Sequence, residues 1–134
     1  MSTPSDAARL GERFARAIPE RDPDSLTSVL DPEVDFRGVT PGQAWRATDP
    51  AGVAEIVLGS WFEPADHVTQ VLELEVEPFL DRHHLRYRFR VENDDGSHVV
   101  EQQAYFTESE GRITRMSIVC SGFRPIDDDG PRDP

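Results

Sequence analysis

The chain has 134 residues, enough for one domain with a real core, and no apolar run is long enough to span a bilayer. It carries 14 basic against 26 acidic residues, a formal net charge of −12, which opposes phosphate backbones and anionic lipid surfaces and so argues against nucleic acid or a membrane as partner. The lone cysteine, Cys120, cannot form an internal disulfide, and MSTPSDAARLGERF lacks the charged, apolar, small-residue order of a secretion signal, so a reducing cytoplasm is the expected location.

Ala7 to Ile18 spaces Leu10, Phe14 and Ile18 four apart, with Ala7 and Ala17 on the same side, which predicts an amphipathic helix with Ser5 as its cap. A short second helix is expected over DPDSLTSVL, capped by Asp22 or Asp24, with Leu26, Val29 and Leu30 as its apolar side. Val34 to Val39 alternates as a half-buried strand and ends in Pro41-Gly42. Asp49-Pro50 then opens a third helix, AGVAEIVLGSWF, carrying Val53, Ile56, Val57 and Trp61.

Beyond Trp61 the helical period is lost, and turn signals at Phe79-Leu80-Asp81, Asp94-Asp95-Gly96 and Glu110-Gly111 divide the rest into four strands, read as an antiparallel meander. The order α-α-β-α-β-β-β-β segregates helices from a sheet and defines an α+β domain. No repeat or Gly/Ser-rich linker divides residues 1–125, which form a single expected domain, while residues 126–134, IDDDGPRDP, read as a disordered acidic tail.

The stretch VVEQQAYF places Glu101, Gln102 and Gln103 in mid-strand, where three consecutive polar residues cannot all face water. A two- or four-residue loop at Asp94-Asp95-Gly96 sets Leu85, Tyr87, Phe89 and Val91 on one face with Val100, Gln102, Ala104 and Phe106, and Arg86, Arg88 and Arg90 opposite Glu101, Gln103 and Tyr105. Gln102 then points at the apolar side; a one-residue slip would send Gln103 there instead. A buried amide without a partner costs about 1–3 kcal/mol, so Gln102 either bonds Tyr87 or a water in a closed core, or lines a ligand pocket.

The element order, with ERFARAIPERDPDSLTSVLDPEVDF and EGRITRMSIVCSGF, resembles the nuclear-transport-factor-2-like superfamily, which includes SnoaL-like polyketide cyclases and ketosteroid isomerases; the resemblance spans residues 7 to 125. It implies a curved sheet wrapped around the helices, a conical pocket and a homodimer. The resemblance places the isomerase tyrosine at Phe14, its proton-moving carboxylate near Gly38 and its second oxyanion donor at Gln102 or Gln103, so the acid-base groups of that chemistry are missing. The Asp-Arg-Asp arrangement of the epoxide-hydrolase branch has no inward counterpart, because Asp35 and Arg37 fall outward by parity with Phe36. For a SnoaL-type cyclase His83 is the nearest candidate, and a rim position suits it better.

His83 and His84 point to opposite faces of a strand and cannot share a metal ion; His67 and His98 read as isolated surface residues, so neither metal nor cofactor is expected. A three-residue loop in ESEGR turns Thr114, Met116, Ile118 and Cys120 inward, with Cys120 as a small buried hydrophobe rather than a nucleophile. The expected ligand pocket is Phe14, Phe36, Trp45, Trp61, Tyr87, Phe89, Gln102, Met116 and Cys120, an aromatic wall suited to a small cyclic or aromatic molecule oriented by the Gln102 amide. Two functions fit: a cofactor-free isomerase, cyclase or dehydratase, and a non-catalytic binding or dimeric assembly module.

Overall fold

The computed structural model of the protein describes residues 4–127 and 130–131. Helix α1 (Pro4–Glu20) and helix α2 (Pro23–Ser28) are followed by strands β1 (Leu30–Thr40) and β2 (Gln43–Ala47), helix α3 (Pro50–Glu55) and a π-helical segment (Ile56–Trp61). Strands β3 (His67–Phe79), β4 (Arg82–Asn93), β5 (Gly96–Ser109), β6 (Arg112–Cys120), β7 (Arg124–Asp127) and β8 (Gly130–Pro131) complete the chain. Among the described residues no helix is long and apolar enough to cross a membrane.

The expected caps are present on two helices: Asp22 accepts from the Ser25 N–H at 3.1 Å, and Asp49 accepts from the Gly52 N–H at 2.7 Å, each satisfying a donor that the first helical turn leaves unpaired. Helix α1 is described from Pro4, so Ser5, expected as its cap, falls within the helical span. Its Phe14, Ala15, Ala17 and Ile18 are buried against the sheet, which follows from the spacing of the apolar stripe. The third helix is shorter than the sequence suggests. Its α-helical part stops at Glu55, and the chain continues as a π-turn in which the Phe62 N–H reaches the Val57 carbonyl at 3.1 Å.

The sheet order is β2-β1-β6-β5-β4-β3, curved and unclosed, with β7 paired to β5 and β8 to β7. This is the α+β architecture expected, with three differences. The loop PGQAWRATDP contains strand β2, a hairpin partner of β1 in which Gly38 faces Trp45. The sheet is mixed rather than wholly antiparallel, because β1 runs parallel to β6, with Phe36 beside Met116 and Gly38 beside Ile118. Strand pairing also runs past the expected domain end: Ile126 pairs with Ser97 and with Pro131, and Asp127 with Gly130, while residues 128–129 and 132–134 of the expected tail lie outside the described residues.

Register in the central hairpin is set by the tight turn Asp94-Asp95 between Asn93 and Gly96, where the Asn93 side chain accepts from the Asp95 N–H at 2.8 Å and Gly96 takes a φ of 113°. Tyr87 therefore lies opposite Gln102 and Phe89 opposite Val100, and Gln102 is the inward residue of the polar trio. The following turn is Glu110-Gly111, both at positive φ, closed by Ser109 opposite Arg112, two residues rather than the expected three. A bulge between Thr107 and Glu108 restores the parity, so Ile113 takes the buried place expected for Thr114, and Met116, Ile118 and Cys120 follow it inward.

Candidate functional site

Curvature of the sheet around α1 and the α3–π segment creates an apolar interior that is packed at its base and open at one end. Phe14, Phe36, Tyr87, Phe89 and Met116 have no exposed surface and fill the base. At the open end lies a cavity of about 450 Å³, floored by Trp61, Cys120 and Phe123 and rimmed by Thr40, Ser60, Glu63, Asp66, Asn93, Asp94 and Asp95. Of the nine residues expected to line a pocket, Trp61 and Cys120 do line this cavity. Gln102 is opposite Cys120 in the strand ladder and fully buried, and Trp45 stands outside, its ring edge-on to Trp61 at 6.3 Å.

Gln102 is fully buried and bonded to Tyr87, the first of the two situations foreseen for it, and it is not among the residues lining the cavity. Its Oε1 accepts a hydrogen bond from the Tyr87 hydroxyl, while its Nε2 is buried with no partner among the described residues. Turning the amide over would leave the oxygen orphaned instead, since Tyr87 can serve only one end. Burial pushes the Tyr87 hydroxyl well above the ordinary phenol value, with the neighbouring Cys120 thiol adding to the effect, so Tyr87 stays protonated and remains a donor. The Cys120 sulfur accepts from the Gly122 N–H at 3.4 Å.

Trp61 is the second orphan. Its indole Nε1 is buried without an acceptor among the described residues, although the side chain lines the cavity. The π-turn delivers Trp61 and Phe62 inward in succession, leaving them 8% and 1% exposed. Gly38 makes room for the indole: a Cβ there would fall 2.6 Å from the Trp61 ring, so even an alanine would collide. The resemblance to ketosteroid isomerases placed a carboxylate near Gly38, and the indole now occupies that space. Trp45 instead satisfies its own Nε1 by donating to Thr40 Oγ1 at 2.8 Å.

The rim is held by residues that carried no sequence signal. Arg21, at a φ of 51°, directs its guanidinium at the carbonyls of Leu58, Phe62, Glu63 and Asp66, with 2.9 Å to Phe62 and 2.6 Å to Asp66. It thus satisfies carbonyls that the end of a helical segment leaves free. Asp66 closes the same loop, accepting from the Glu63 N–H at 2.9 Å and from Asn93 Nδ2 at 2.9 Å. A lone arginine after a helix and an Asp in a loop gave no spacing to read.

His98 requires a correction. Sequence parity already put even positions of β5 inward, but its place near a strand end suggested a surface residue; it is only 8% exposed, and its Nδ1 has no partner among the described residues. Its ring lies 6.0 Å from that of Phe123, which lines the cavity, while His98 itself does not. His98 and Gln102 are the buried polar side chains among the described residues, so no carboxylate is buried in the interior. His83 lies tilted against Phe106 at 5.3 Å at the opposite end of the same strands, and His84 faces outward, stacked on Tyr105. No group of three metal-ligating side chains is found among the described residues.

No protein-family model matches the chain, and no curated protein matches it in sequence. Solved structures do. A candidate isomerase from Bacillus subtilis superposes with a TM-score of 0.75 at 15% identity over 90% of this chain and 90% of that one. The fold is that of the nuclear-transport-factor-2-like proteins. An NTF2-like protein of unknown function from Mesorhizobium loti matches with a TM-score of 0.65 at 18% identity, over 91% of this chain and 96% of its own. A candidate polyketide cyclase from Xanthomonas campestris matches with a TM-score of 0.67 at 18% identity, over 88% and 92%. Identities this low establish the shared NTF2-like architecture and leave the chemistry to the site itself.

Proposed function

We propose that this NTF2-like chain is a SnoaL-like small-molecule-binding protein whose ligand is an uncharged cyclic or aromatic compound bearing a hydrogen-bond acceptor, such as a ketone. The observation that carries this reading is a pair of buried donors without a partner among the described residues: Trp61 Nε1, whose ring lines an aromatic-floored cavity of about 450 Å³, and Gln102 Nε2, behind the cavity residue Cys120 in the strand ladder. Orphaned donors cost about 1–3 kcal/mol each, and a ligand carbonyl is the simplest group that would recover that cost. Among the described residues no carboxylate is buried in the interior, and those that line the cavity, Glu63, Asp66, Asp94 and Asp95, lie at its rim, an arrangement that suits binding better than proton transfer.

A second reading rests on His98. With an unpartnered Nδ1 behind Phe123, it is the group through which a cofactor-free isomerisation, cyclisation or dehydration would move a proton, with Gln102 and Trp61 stabilising the developing oxyanion. The candidate isomerase and cyclase among the structural neighbours lend this reading the first two of those reaction types.

Tryptophan fluorescence titrations with matched ketones and hydrocarbons test the first reading. The ketone should bind more tightly, by about tenfold, and lose that advantage in Gln102→Leu. Equal affinities for the two, or no binding of either, would remove the acceptor-recognition argument. Proton–deuterium exchange at the carbon beside the carbonyl, lost in His98→Gln, would move the assignment to the catalytic reading.

The outer sheet face is the proposed homodimer surface. Val39 and Val119 are 50% and 59% exposed there, and a hollow of about 400 Å³ runs past Gln103, Tyr105 and Val119. Apolar strand residues left open in this way suit a second copy of the same face.

A further inference from the structure

One corner of the outer sheet face gathers positive charge in a chain that is otherwise strongly acidic. A hollow of about 230 Å³ is lined by Asp35, Arg37, Arg82, Arg115 and Ser117, drawn from β1, β4 and β6. Arg46 of β2 stands directly opposite Arg37 in the strand register. Like charges facing each other across an antiparallel pair are destabilising, so this placement calls for a counter-charge.

Protein carboxylates supply little of it. Arg37 and Arg115 approach Asp35 through Nε at 3.5 and 4.0 Å, and Arg82 approaches Asp81 through Nε at 3.8 Å. None of these three makes a hydrogen bond among the described residues, Asp35 Oδ1 included, and Arg46 has no ion pair there either. Their terminal Nη groups thus make no hydrogen bond among the described residues. Elsewhere on the same face the arginines do bond carboxylates: Arg86 Nη2 bonds Glu73 and Glu75, and Arg88 Nη2 bonds Glu101 at 2.7 Å.

We propose that this corner is a binding site for a phosphate-type oxyanion, free or as an ester, held by the Nη groups of Arg37, Arg82 and Arg115 and the Ser117 hydroxyl. Guanidinium forks match a tetrahedral oxyanion through paired charge-assisted hydrogen bonds. Arg46 adds charge from the flank, and Asp35 sets the spacing of Arg37 and Arg115 at the expense of some affinity. The site is independent of the interior cavity, because strand parity puts these side chains on the other face of the sheet from Gln102 and Cys120.

The test is titration with inorganic phosphate, and separately with phenyl phosphate, against chloride at matched ionic strength, followed by arginine Nε–H NMR signals. Saturable shifts at Arg37 and Arg115 are expected. Arg37→Gln combined with Arg115→Gln should weaken binding by at least about tenfold. Asp35→Asn should strengthen it by a few-fold, and Arg9→Gln, on the far helix, should leave it unchanged. Tighter binding of phenyl phosphate would identify an ester as the natural form. Shifts that never saturate, that persist in the double variant, or that are indifferent to Asp35→Asn would overturn the assignment. So would occupation of the hollow by a carboxylate of a second copy, visible as protein-concentration dependence without phosphate.

Discussion

Removing the Tyr87–Gln102 hydrogen bond one partner at a time and then both together discriminates between a structural and a functional reason for burying an amide. Tyr87→Phe leaves both ends of a fully buried Gln102 amide unsatisfied, at a cost of about 1–3 kcal/mol for the newly orphaned oxygen. Gln102→Leu strands the Tyr87 hydroxyl at a similar cost, offset by deleting the Nε2 donor that already lacks a partner. The double variant leaves no orphan at either residue and nearly conserves volume, so it should be close to wild type or more stable. The cycle should then show a coupling energy of about 1–3 kcal/mol, read as displaced urea midpoints at constant m-value and fixed protein concentration. Additive losses would refute the pairing. A stable double variant that has also lost ketone affinity would show that the polar pair is retained for the ligand at the expense of stability.

Gly38→Ala forces the Trp61 indole away from β1, and with Phe36 at 5.9 Å and Trp45 at 6.3 Å around the ring the overpacking should cost about 1–3 kcal/mol, with a change in tryptophan emission. Unaltered emission and stability would mean that the indole is not seated there. Arg21→Ala should destabilise by about 1.5–3 kcal/mol and speed amide exchange over residues 62–66, and Arg21→Lys should not rescue it, since one ammonium cannot reach the same set of carbonyls. The Glu101 carboxyl is held below its ordinary value chiefly by its hydrogen bond from Arg88. Its folded-state pKa being depressed, the stabilisation is present above the unfolded carboxylate pKa and disappears as pH falls through the folded one. Arg88→Gln should flatten that part of an acid unfolding profile, and an unchanged profile would remove Glu101 as its source.

Local chemistry determined much of this protein. The apolar stripe of α1, the Asp22 and Asp49 caps and the Asp94-Asp95-Gly96 turn specify elements from residues a few positions apart, and that turn alone fixed Gln102, rather than Gln103, as the buried amide. Period-two alternation likewise put Tyr87, Phe89, Met116 and Cys120 inside. Whether an inward residue ends in a filled base or at an open cavity depends on how far along the curved sheet its row lies. For that reason Phe14, Phe36, Tyr87, Phe89 and Met116 close the interior while Trp61 and Cys120 reach the cavity. The parallel pairing of β1 with β6, the Arg21 clasp on the rim, the burial of His98 under Phe123 and the arginine corner each join residues far apart in the chain. Side-chain periodicity reports which face a residue takes, and only the folding together of distant strands decides what that face meets.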